Sequence, residues 1–319
     1  MSGRPDIHCI RLQGWRNGSH LLASVVMTDT PIRRTKIVAT LGPATDAPGM
    51  LEKLIAEGVD VVRLNLSHGQ PDDHRARANA VRAASLAAGR EVGVLADLQG
   101  PKIRIETFAN GPVELADGAL FVLDCRPGAP PGDVSRVGVS YYELPQDVHA
   151  GDVLLLDDGL VALTVLEVVG VEVRCRVLVG GKLSNRKGLN RQGGGLSVTA
   201  LSDKDKADIK LAAEIGADFL AVSFVRSAED MHQARRLLHE AGGKASLVAK
   251  IERADAIPVL GEIIDASDVV MVARGDLGVE IGDAELPGLQ KKIIRESVQR
   301  NRAVITATQM LQSMVRSPI

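Results

Sequence analysis

The chain alternates apolar, strand-like runs with helix-like segments, and this rhythm constrains its fold more than any other feature of its 319 residues. Runs such as VDVVRLNLS and SLVAKIE are rich in Val, Ile and Leu, as in parallel strands that are covered on both faces. Three of these runs precede residue 100 and four follow residue 197. The count predicts an α/β fold, a TIM (β/α)8-type barrel with seven of its eight strands present.

A second pattern interrupts the first, with short alternating segments such as RIETF and LVALTVLEVVG between Gly, Pro and Asp residues. This pattern predicts an inserted small all-β barrel domain. We therefore expect an N-terminal extension at 1–32, a first part of the barrel at 33–99, the insertion at 100–197 and a second part of the barrel at 198–319. Gly193–Gly195 is interpreted as a hinge or turn between insertion and barrel, with a phosphate loop as the alternative.

The first 26 residues show no clear periodicity, so we expect them to be disordered and Met27 to be the natural start. The apolar stretch HLLASVV is too short for a convincing secretory signal, while the arginines before it leave a transit peptide as an alternative. The three cysteines, Cys9, Cys125 and Cys175, are an odd number without CxxC spacing. They argue against a disulfide framework or a zinc site, and they fit a cytoplasmic location.

The composition excludes several classes of partner. Hydrophobic residues make up 45% of the chain and charged residues 24%, which is typical of a soluble globular protein. The net charge of -2 gives no electrostatic reason to bind nucleic acid or an anionic membrane. Aromatic residues are only 2%, so few side chains can stack on bases. No apolar run reaches the length of about 18 residues that a membrane span needs.

Polar residues collect at the predicted carboxyl ends of the strands, where barrels of this type carry their active sites. A single arginine there is more often a surface or salt-bridging residue, but six strands behaving alike indicate one charged site. The fifth and sixth runs, SLVAKIE and SDVVMVARGDLG, are interpreted as consecutive strands. In chain order the polar residues are Arg63, Asn65, Ser67, His68, Asp97, Lys102, Arg104, Ser223, Arg226, Lys250, Glu252, Arg274, Asp276, Thr306, Thr308 and Gln309.

Lys250 and Glu252 lie two positions apart on a strand and therefore face the same space. Burying both charges is costly unless they find partners, so the pair is either a structural ion pair or part of a site. Glu252 and Asp276 are suitable oxygen ligands for Mg²⁺, while Arg63, Arg104 and Lys250 suit phosphate oxygens. A divalent ion together with cationic side chains that converge on one point is typical of sites that catalyse phosphoryl transfer.

The segment RGDLG adds backbone donors, because Gly275, Asp276 and Gly278 can turn N–H groups toward an anion before the next helix. A carboxylate would suit this position. The sequence contains neither a GxxxxGK[ST] motif nor a kinase-type glycine-rich loop. A nucleotide would therefore have to be held in another way.

Eight segments resemble pyruvate kinases in order and spacing from Arg33 to the last residue: TKIVATLGP, VVRLNLSHG, ADLQGPKIR, LLLDDG, NRKGLN, LVAKIER, MVARGDLGVEI and VITATQMLQSM. The resemblance implies that the barrel is the family's A domain and the insertion its mobile B domain, which closes over the site. It implies transfer of a phosphoryl group from phosphoenolpyruvate to ADP in glycolysis, giving pyruvate and ATP. It further implies Mg²⁺ or Mn²⁺ as cofactor and a homotetrameric family.

Matching motifs imply a role for individual residues. Lys250 would contact the transferred phosphoryl group and stabilise the enolate, Arg63 would bind phosphate, and Thr308 would lie near the site of enol protonation. Gly275 and Asp276 would offer N–H groups to the substrate carboxylate. The implied Mg²⁺ ligands are Glu252 and Asp276, and the positions that the family uses around ADP and ATP are Pro43, His68, Arg104 and Lys187.

Asn65, Ser67, Asp97 and the Leu98 carbonyl match the K⁺ ligands of the family. Many members read DTKGPEIR at the segment that reads DLQGPKIR here, so Lys102 replaces a glutamate. A fixed ammonium could supply the charge that K⁺ supplies elsewhere, and family members with lysine here are K⁺-independent. We therefore predict activity without K⁺.

The sequence ends at MVRSPI, where members of the family continue through another helix, the eighth strand and a C-terminal domain with effector and subunit contacts. We expect a chain truncated before the last barrel strand. Two alternatives to an active pyruvate kinase stay open at this point. One is an inactive truncated fragment, and the other is a Mg²⁺-dependent carbon–carbon lyase on a related barrel, which would need neither the insertion nor Lys250.

Overall fold

The computed structural model describes residues 34–308, 310 and 313–315. Contacts divide the chain into residues 1–35 and a second unit, Lys36–Ile319, to which all elements below belong. The expectations of a start at Met27 and of disorder or a transit peptide before it lie outside the described residues, as does Gln309.

Fifteen strands and eight helices lie within the described residues. The strands are β1 (Val38–Leu41), β2 (Val61–Asn65), β3 (Gly93–Asp97), β4 (Val113–Leu115), β5 (Leu120–Asp124), β6 (Arg136–Gly138), β7 (Val153–Leu156), β8 (Val161–Val169), β9 (Glu172–Val179), β10 (Gly181–Leu183), β11 (Leu189–Arg191), β12 (Phe219–Val222), β13 (Ser246–Ile251), β14 (Val269–Ala273) and β15 (Ala303–Ala307). The helices are α1 (Met50–Ala56), α2 (Pro71–Ala88), α3 (Leu144–Asp147), α4 (Asp203–Glu214), α5 (Ala228–Glu240), α6 (Leu260–Ala266), α7 (Arg274–Ile281) and α8 (Leu286–Gln299).

Seven strands form one parallel sheet in the order β1-β2-β3-β12-β13-β14-β15, which confirms the predicted barrel type and its strand count. The sheet is strongly curled, because residues of both outer strands line one cavity: Val38 and Thr40 from β1, and Ile305 and Thr306 from β15. The carboxyl ends of all seven strands therefore face a common space.

Capping residues fix where the helices after the insertion begin. The side chains of Ser202 and Ser227 accept hydrogen bonds from the backbone N–H groups of Asp205 and Asp230, and both carboxylates bond back to the capping residues. Gly89 ends α2 in the left-handed conformation that glycine adopts without strain. None of the described helices is long and apolar enough to cross a bilayer.

The inserted segment forms a mixed six-stranded sheet in the order β11-β7-β8-β9-β5-β6 and a small β10-β4 pair. The extended segment that enters the insertion closes the larger sheet into a ring. Its Arg104 forms a bridge with Gly188, beside β11, and its Ile105 forms a bridge with Val139, beside β6. The insertion is thus a small β barrel, as predicted, although RIETF contributes only isolated bridges rather than a strand.

Barrel and insertion have separate apolar cores. The barrel core draws its buried side chains from 41–98 and 201–293, and the core of the insertion draws its own from 103–196. A third, smaller cluster around Leu95, Val248 and Met271 fills the inside of the curled sheet. Each fully buried Val or Leu contributes about 1.5–3 kcal/mol, so each part holds its own stabilising interior.

Two helices differ from the sequence-based interpretation. LGEIIDA forms α6 between β13 and β14, which the sequence had indicated as consecutive strands. RGDLGVEI was interpreted as an anion-binding turn before a helix, but it forms the helix α7 itself. Its glycines sit in the helix rather than in a preceding loop, so any donors toward an anion are those of its first turn.

We predict that Gly100→Ala will destabilise the protein, since Gly100 has φ +68° and a Cβ atom there would lie 2.7 Å from Cβ of Ser223. Gly111→Ala is the matched control, because Gly111 has φ +81° but open space around it. The clash should make Gly100→Ala about 1–3 kcal/mol more destabilising than the control. Urea unfolding followed by circular dichroism measures the difference, and equal midpoints would contradict the prediction.

A second prediction concerns Asp124, a buried carboxylate of the insertion that lies 2.6 Å from Arg126 and 2.7 Å from Arg136. The hydrogen bond from Arg126, with Arg136 adding to it, lowers the pKa of Asp124 from 3.8 to about 2. A carboxylate whose pKa is lower in the folded than in the unfolded protein stabilises the fold at pH values above its unfolded pKa. This stabilisation is lost as the pH falls through its folded pKa.

Asp124→Asn should therefore lower the free energy of unfolding by about 1–2 kcal/mol at pH 7, and the difference from the wild type should vanish toward pH 2. Urea unfolding between pH 7 and pH 2 measures it. Glu114→Gln, at an exposed carboxylate of the same domain, is the control. A difference that persists unchanged at the lowest pH would show that charge is not the cause.

Candidate active site

A cavity of about 400 Å³ lies at the carboxyl ends of the barrel strands. Eight of the residues predicted for the site line it together, although they come from five different strands or their following segments. They are Arg63, Asp97, Lys250, Glu252, Gly275, Asp276, Thr306 and Thr308. The remaining lining residues are Val38, Thr40, Met271, Ala273, Ile305 and Ala307.

Lys250 is the centre of the polar contacts in this cavity. Its Nζ atom lies 2.9 Å from Oε1 of Glu252 and 3.2 Å from Oδ1 of Asp97, and it donates a 2.7 Å hydrogen bond to Oγ of Ser223. Burial by itself lowers the pKa of this ammonium, but Glu252 and Asp97 outweigh the burial and the pKa is raised. Lys250 is therefore a charged, buried donor held in one place.

Glu252 is buried beside Lys250 and is fixed by a second contact. The backbone N–H of Phe224 donates a 2.8 Å hydrogen bond to its Oε2 atom, and Phe224 has the left-handed φ of 55°. Burial raises the pKa of Glu252, Asp276 and Asp97 raise it further, and Lys250 acts in the opposite direction. Three carboxylates thus crowd into one space, which favours any additional positive charge that enters it.

Arg63 reaches the cavity from β2 and is held by two neighbours. Its Nε atom lies 2.6 Å from Oδ2 of Asp97, and its Nη1 atom donates a 3.1 Å hydrogen bond to Oγ1 of Thr40. Thr40 was not among the predicted site residues, although its position two residues after Val38 puts both side chains on the same face of β1. About a quarter of the Arg63 side chain remains exposed, so it can still meet an anion in the cavity.

Helix α7 and the end of β15 form the opposite wall. The Nζ atom of Lys102 lies 3.0 Å from Oδ1 of Asp276, in the first turn of α7. The N–H groups of Gly275 and Asp276 lie in this first turn, where the helix itself supplies no acceptor, and Gly275 leaves space above them. Thr308 has the strained φ of 74°, and Arg274 donates hydrogen bonds to the carbonyls of Ala307 and Thr308.

The residues that match the K⁺ ligands already contact other protein groups. Oδ1 of Asn65 accepts a 3.2 Å hydrogen bond from the N–H of Ser67, and the Leu98 carbonyl accepts a 2.8 Å bond from Ser223. Asp97 pairs with arginine and lysine as described above. The ammonium of Lys102 contacts Asp276 at 3.0 Å, so its charge lies beside the first turn of α7.

The four residues predicted around the nucleotide do not line the cavity, and the structure brings them together only in part. Arg104 and Lys187 are neighbours on the insertion: Arg104 donates to the Arg186 carbonyl at 2.9 Å, and Lys187 pairs with Asp157 at 2.8 Å. Pro43 begins a short 3-10 turn after β1. The His68 carbonyl, after β2, contacts Nε2 of His74 at 3.0 Å.

No group of three Asp, Glu, His or Cys side chains within the described part of the chain is arranged to hold a metal ion. The cavity offers a smaller donor set, the carboxylates of Glu252 and Asp276, each of which is paired with a lysine. Two carboxylates with water and substrate are a usual way of holding Mg²⁺. The donor chemistry therefore fits a hard divalent cation that would replace the ammonium contacts.

Comparison with known proteins gives a consistent picture. The family model described as "Pyruvate kinase, barrel domain" matches residues 32–319. The chain is 59% identical over 291 residues to pyruvate kinase II of Salmonella typhimurium, covering 90% of this chain and 61% of that protein. It is 57% identical to a pyruvate kinase of Haemophilus influenzae, with the same coverage, and 46% identical over 285 residues to one of Mycobacterium tuberculosis, covering 89% of this chain and 60% of that protein.

The chain spans about 60% of the length of these curated relatives. The match nevertheless covers the barrel strands, the insertion and every residue that lines the cavity. By this match over residues 32–319 and by its identity to the curated relatives, the chain belongs to the pyruvate kinase family.

Proposed function

We propose that this chain carries out the pyruvate kinase reaction, the transfer of a phosphoryl group from phosphoenolpyruvate to ADP to give pyruvate and ATP. One observation carries the proposal: a buried, charged Lys250 lies between Glu252 and Asp97 in a cavity that also holds Arg63 and Asp276. A carbon–carbon lyase would need neither this lysine nor the insertion.

The proposed roles follow from the position of each group. Lys250 and Arg63 bind oxygens of the phosphoryl group and neutralise its charge during transfer, and Lys250 stabilises the enolate that remains. The N–H groups of Gly275 and Asp276, in the first turn of α7, receive the substrate carboxylate. Thr308, which faces the same cavity, delivers or relays the proton that converts the enol to pyruvate.

Glu252 and Asp276 are the proposed ligands of Mg²⁺ or Mn²⁺. The bound ion would neutralise charge and orient the substrate oxygens. When these carboxylates hold a metal, the ammonium groups of Lys250 and Lys102 are no longer needed to balance them. Lys250, which lines the cavity beside Arg63, can then contact the anionic substrate, which supports a site built for phosphoryl transfer.

The proposed division of the chain places the barrel at 33–99 and 198–319 and the insertion at 100–197. The separate cores of the two parts support it. Arg104 and Lys187 on the insertion, with Pro43 and His68 at the barrel mouth, are the proposed nucleotide contacts. Since the two pairs belong to different parts, closure of the insertion would bring them to the same nucleotide.

The central test is activity of the purified chain with phosphoenolpyruvate, ADP and Mg²⁺ in an assay coupled to lactate dehydrogenase. We expect turnover, and we expect Lys250→Met to lower kcat by about 100- to 1,000-fold, the usual cost of a group that stabilises charge in the transition state. Lys210→Met, which removes an exposed ammonium from α4, is the matched control. A folded wild type without turnover would make the chain an inactive piece of a longer enzyme.

A second test concerns potassium. We predict that replacing tetramethylammonium by K⁺ at constant ionic strength changes the rate by less than about twofold, because Lys102 supplies a fixed positive charge. Lys102→Glu should lose most of its activity without K⁺ and regain it with K⁺. Lys182→Glu, at an exposed lysine of β10, makes the same charge change away from the cavity and should do neither. Strong K⁺ activation of the wild type would contradict the prediction.

A further inference from the structure

Glu280, in the last turn of α7, is a buried carboxylate outside the catalytic cavity. Only 4% of the residue is exposed, and its side chain accepts two hydrogen bonds. Oε2 accepts from the backbone N–H of Ala254 at 2.8 Å, and Oε1 accepts from Nδ2 of Asn190 at 3.4 Å. Burying a carboxylate is costly in free energy unless it is paired and hydrogen bonded. None of the proposed catalytic steps uses Glu280, so its contacts indicate another role.

The contacts of Glu280 join the barrel to the strand by which the insertion returns. Asn190 belongs to β11, the last strand of the insertion. Two residues after β11, the N–H of Gly193 donates a 3.0 Å hydrogen bond to the backbone carbonyl of Glu280. Gly194 passes so close that a Cβ atom there would lie 3.2 Å from Oε2 of Glu280, and its φ is +77°. The returning chain is therefore seated directly against the end of α7.

A second set of contacts holds the same segment from the β13 side. Arg253, itself buried, donates a 2.7 Å hydrogen bond to the Leu196 carbonyl and pairs with Asp255. The N–H of Gly195 donates to Oδ2 of Asp255 at 3.3 Å. The three consecutive residues Gly193–Gly195 thus all lie between α7 and the segment that follows β13.

Both anchors adjoin the proposed metal ligands. Asp276 and Glu280 are four residues apart on α7, a spacing that puts side chains on one face of a helix. Glu252 immediately precedes Arg253 in the chain. The elements that carry the two carboxylates of the site are therefore the same elements that hold the returning strand of the insertion.

We propose that Glu280 is a positioning residue that docks the returning strand of the insertion onto α7. In this position it sets where Arg104 and Lys187, which the insertion carries, stand over the barrel. The docking role follows from the contacts alone, while its effect on nucleotide use rests on the proposed function.

The variant that tests the docking most directly is Glu280→Gln. The glutamine has the same shape, but one of its terminal atoms is an NH₂ group that cannot accept a hydrogen bond. It therefore cannot accept from both Ala254 and Asn190, and a bond that Asn190 re-forms by turning its own amide joins two neutral groups and is weaker than the bond to the carboxylate. Asn190→Ala removes the second contact from the other side and leaves Glu280 in place. Glu285→Gln, at an exposed carboxylate, is the matched control.

The first measurement is hydrogen–deuterium exchange by mass spectrometry on the full chain. In Glu280→Gln and Asn190→Ala we expect peptides covering 190–197 to exchange about tenfold faster or more, since a hydrogen bond to a charged group is lost. Peptides covering β12 and β14 should exchange as in the wild type, and the control should not change. Unchanged exchange at 190–197 in both variants would overturn the docking role, as would faster exchange throughout the barrel, which would mean that Glu280 only stabilises the fold.

The second measurement separates positioning from stability in the coupled assay. Loosened docking should raise the KM for ADP by about five- to tenfold, while kcat and the KM for phosphoenolpyruvate stay within about twofold of the wild type. An equal loss with both substrates, or a fall in kcat alone, would overturn the link to the nucleotide. If the wild-type chain does not turn over, the proposed function fails, and the exchange experiment still decides whether Glu280 docks the insertion.

Discussion

The site depends on one buried cluster, in which the ammonium of Lys250 is shared by Glu252, Asp97 and Ser223. These partners come from three neighbouring parallel strands or their ends, so the register of β3, β12 and β13 has to be correct before the charges can meet. Each charge would be costly to bury alone, and the strands that carry them are stabilised by an apolar core on the outside of the sheet. Apolar packing therefore offsets the free-energy cost of burying the polar cluster, and the cluster provides the groups that can act on a substrate.

The separation of two apolar cores gives the protein a second property. The insertion buries its own side chains, so its position over the barrel is not fixed by a shared hydrophobic interior. It is fixed by polar contacts: the ammonium of Lys102 on Asp276, the side chain of Glu280 on Asn190, and Arg253 on the Leu196 carbonyl. Replacing polar contacts of this kind by hydrogen bonds to water has a modest net cost in free energy. A shared apolar core would instead resist any movement of the insertion.

The sequence predicted most of the fold and the composition of the cavity, for a physical reason. Parallel strands buried on both faces leave continuous apolar runs, and charged residues at their ends stand out against that background. Helix α7 was misinterpreted because Gly275 and Gly278 lower helix propensity, and α6 was missed because it is short and apolar. Contacts between distant segments could not be predicted at all: Thr40 with Arg63 and Asn190 with Glu280 exist only because the curled sheet and the returning strand bring them together.

The two connections between barrel and insertion lie side by side. The N–H of Leu189 donates to the Ile103 carbonyl at 3.0 Å, and Arg104 forms a bridge with Gly188. The incoming and returning segments are therefore paired with each other, and this pairing is the one that closes the barrel of the insertion. The chain thus enters and leaves the insertion at neighbouring points. The insertion interrupts the larger barrel between β3 and β12 without separating them, and these two strands pair directly with each other.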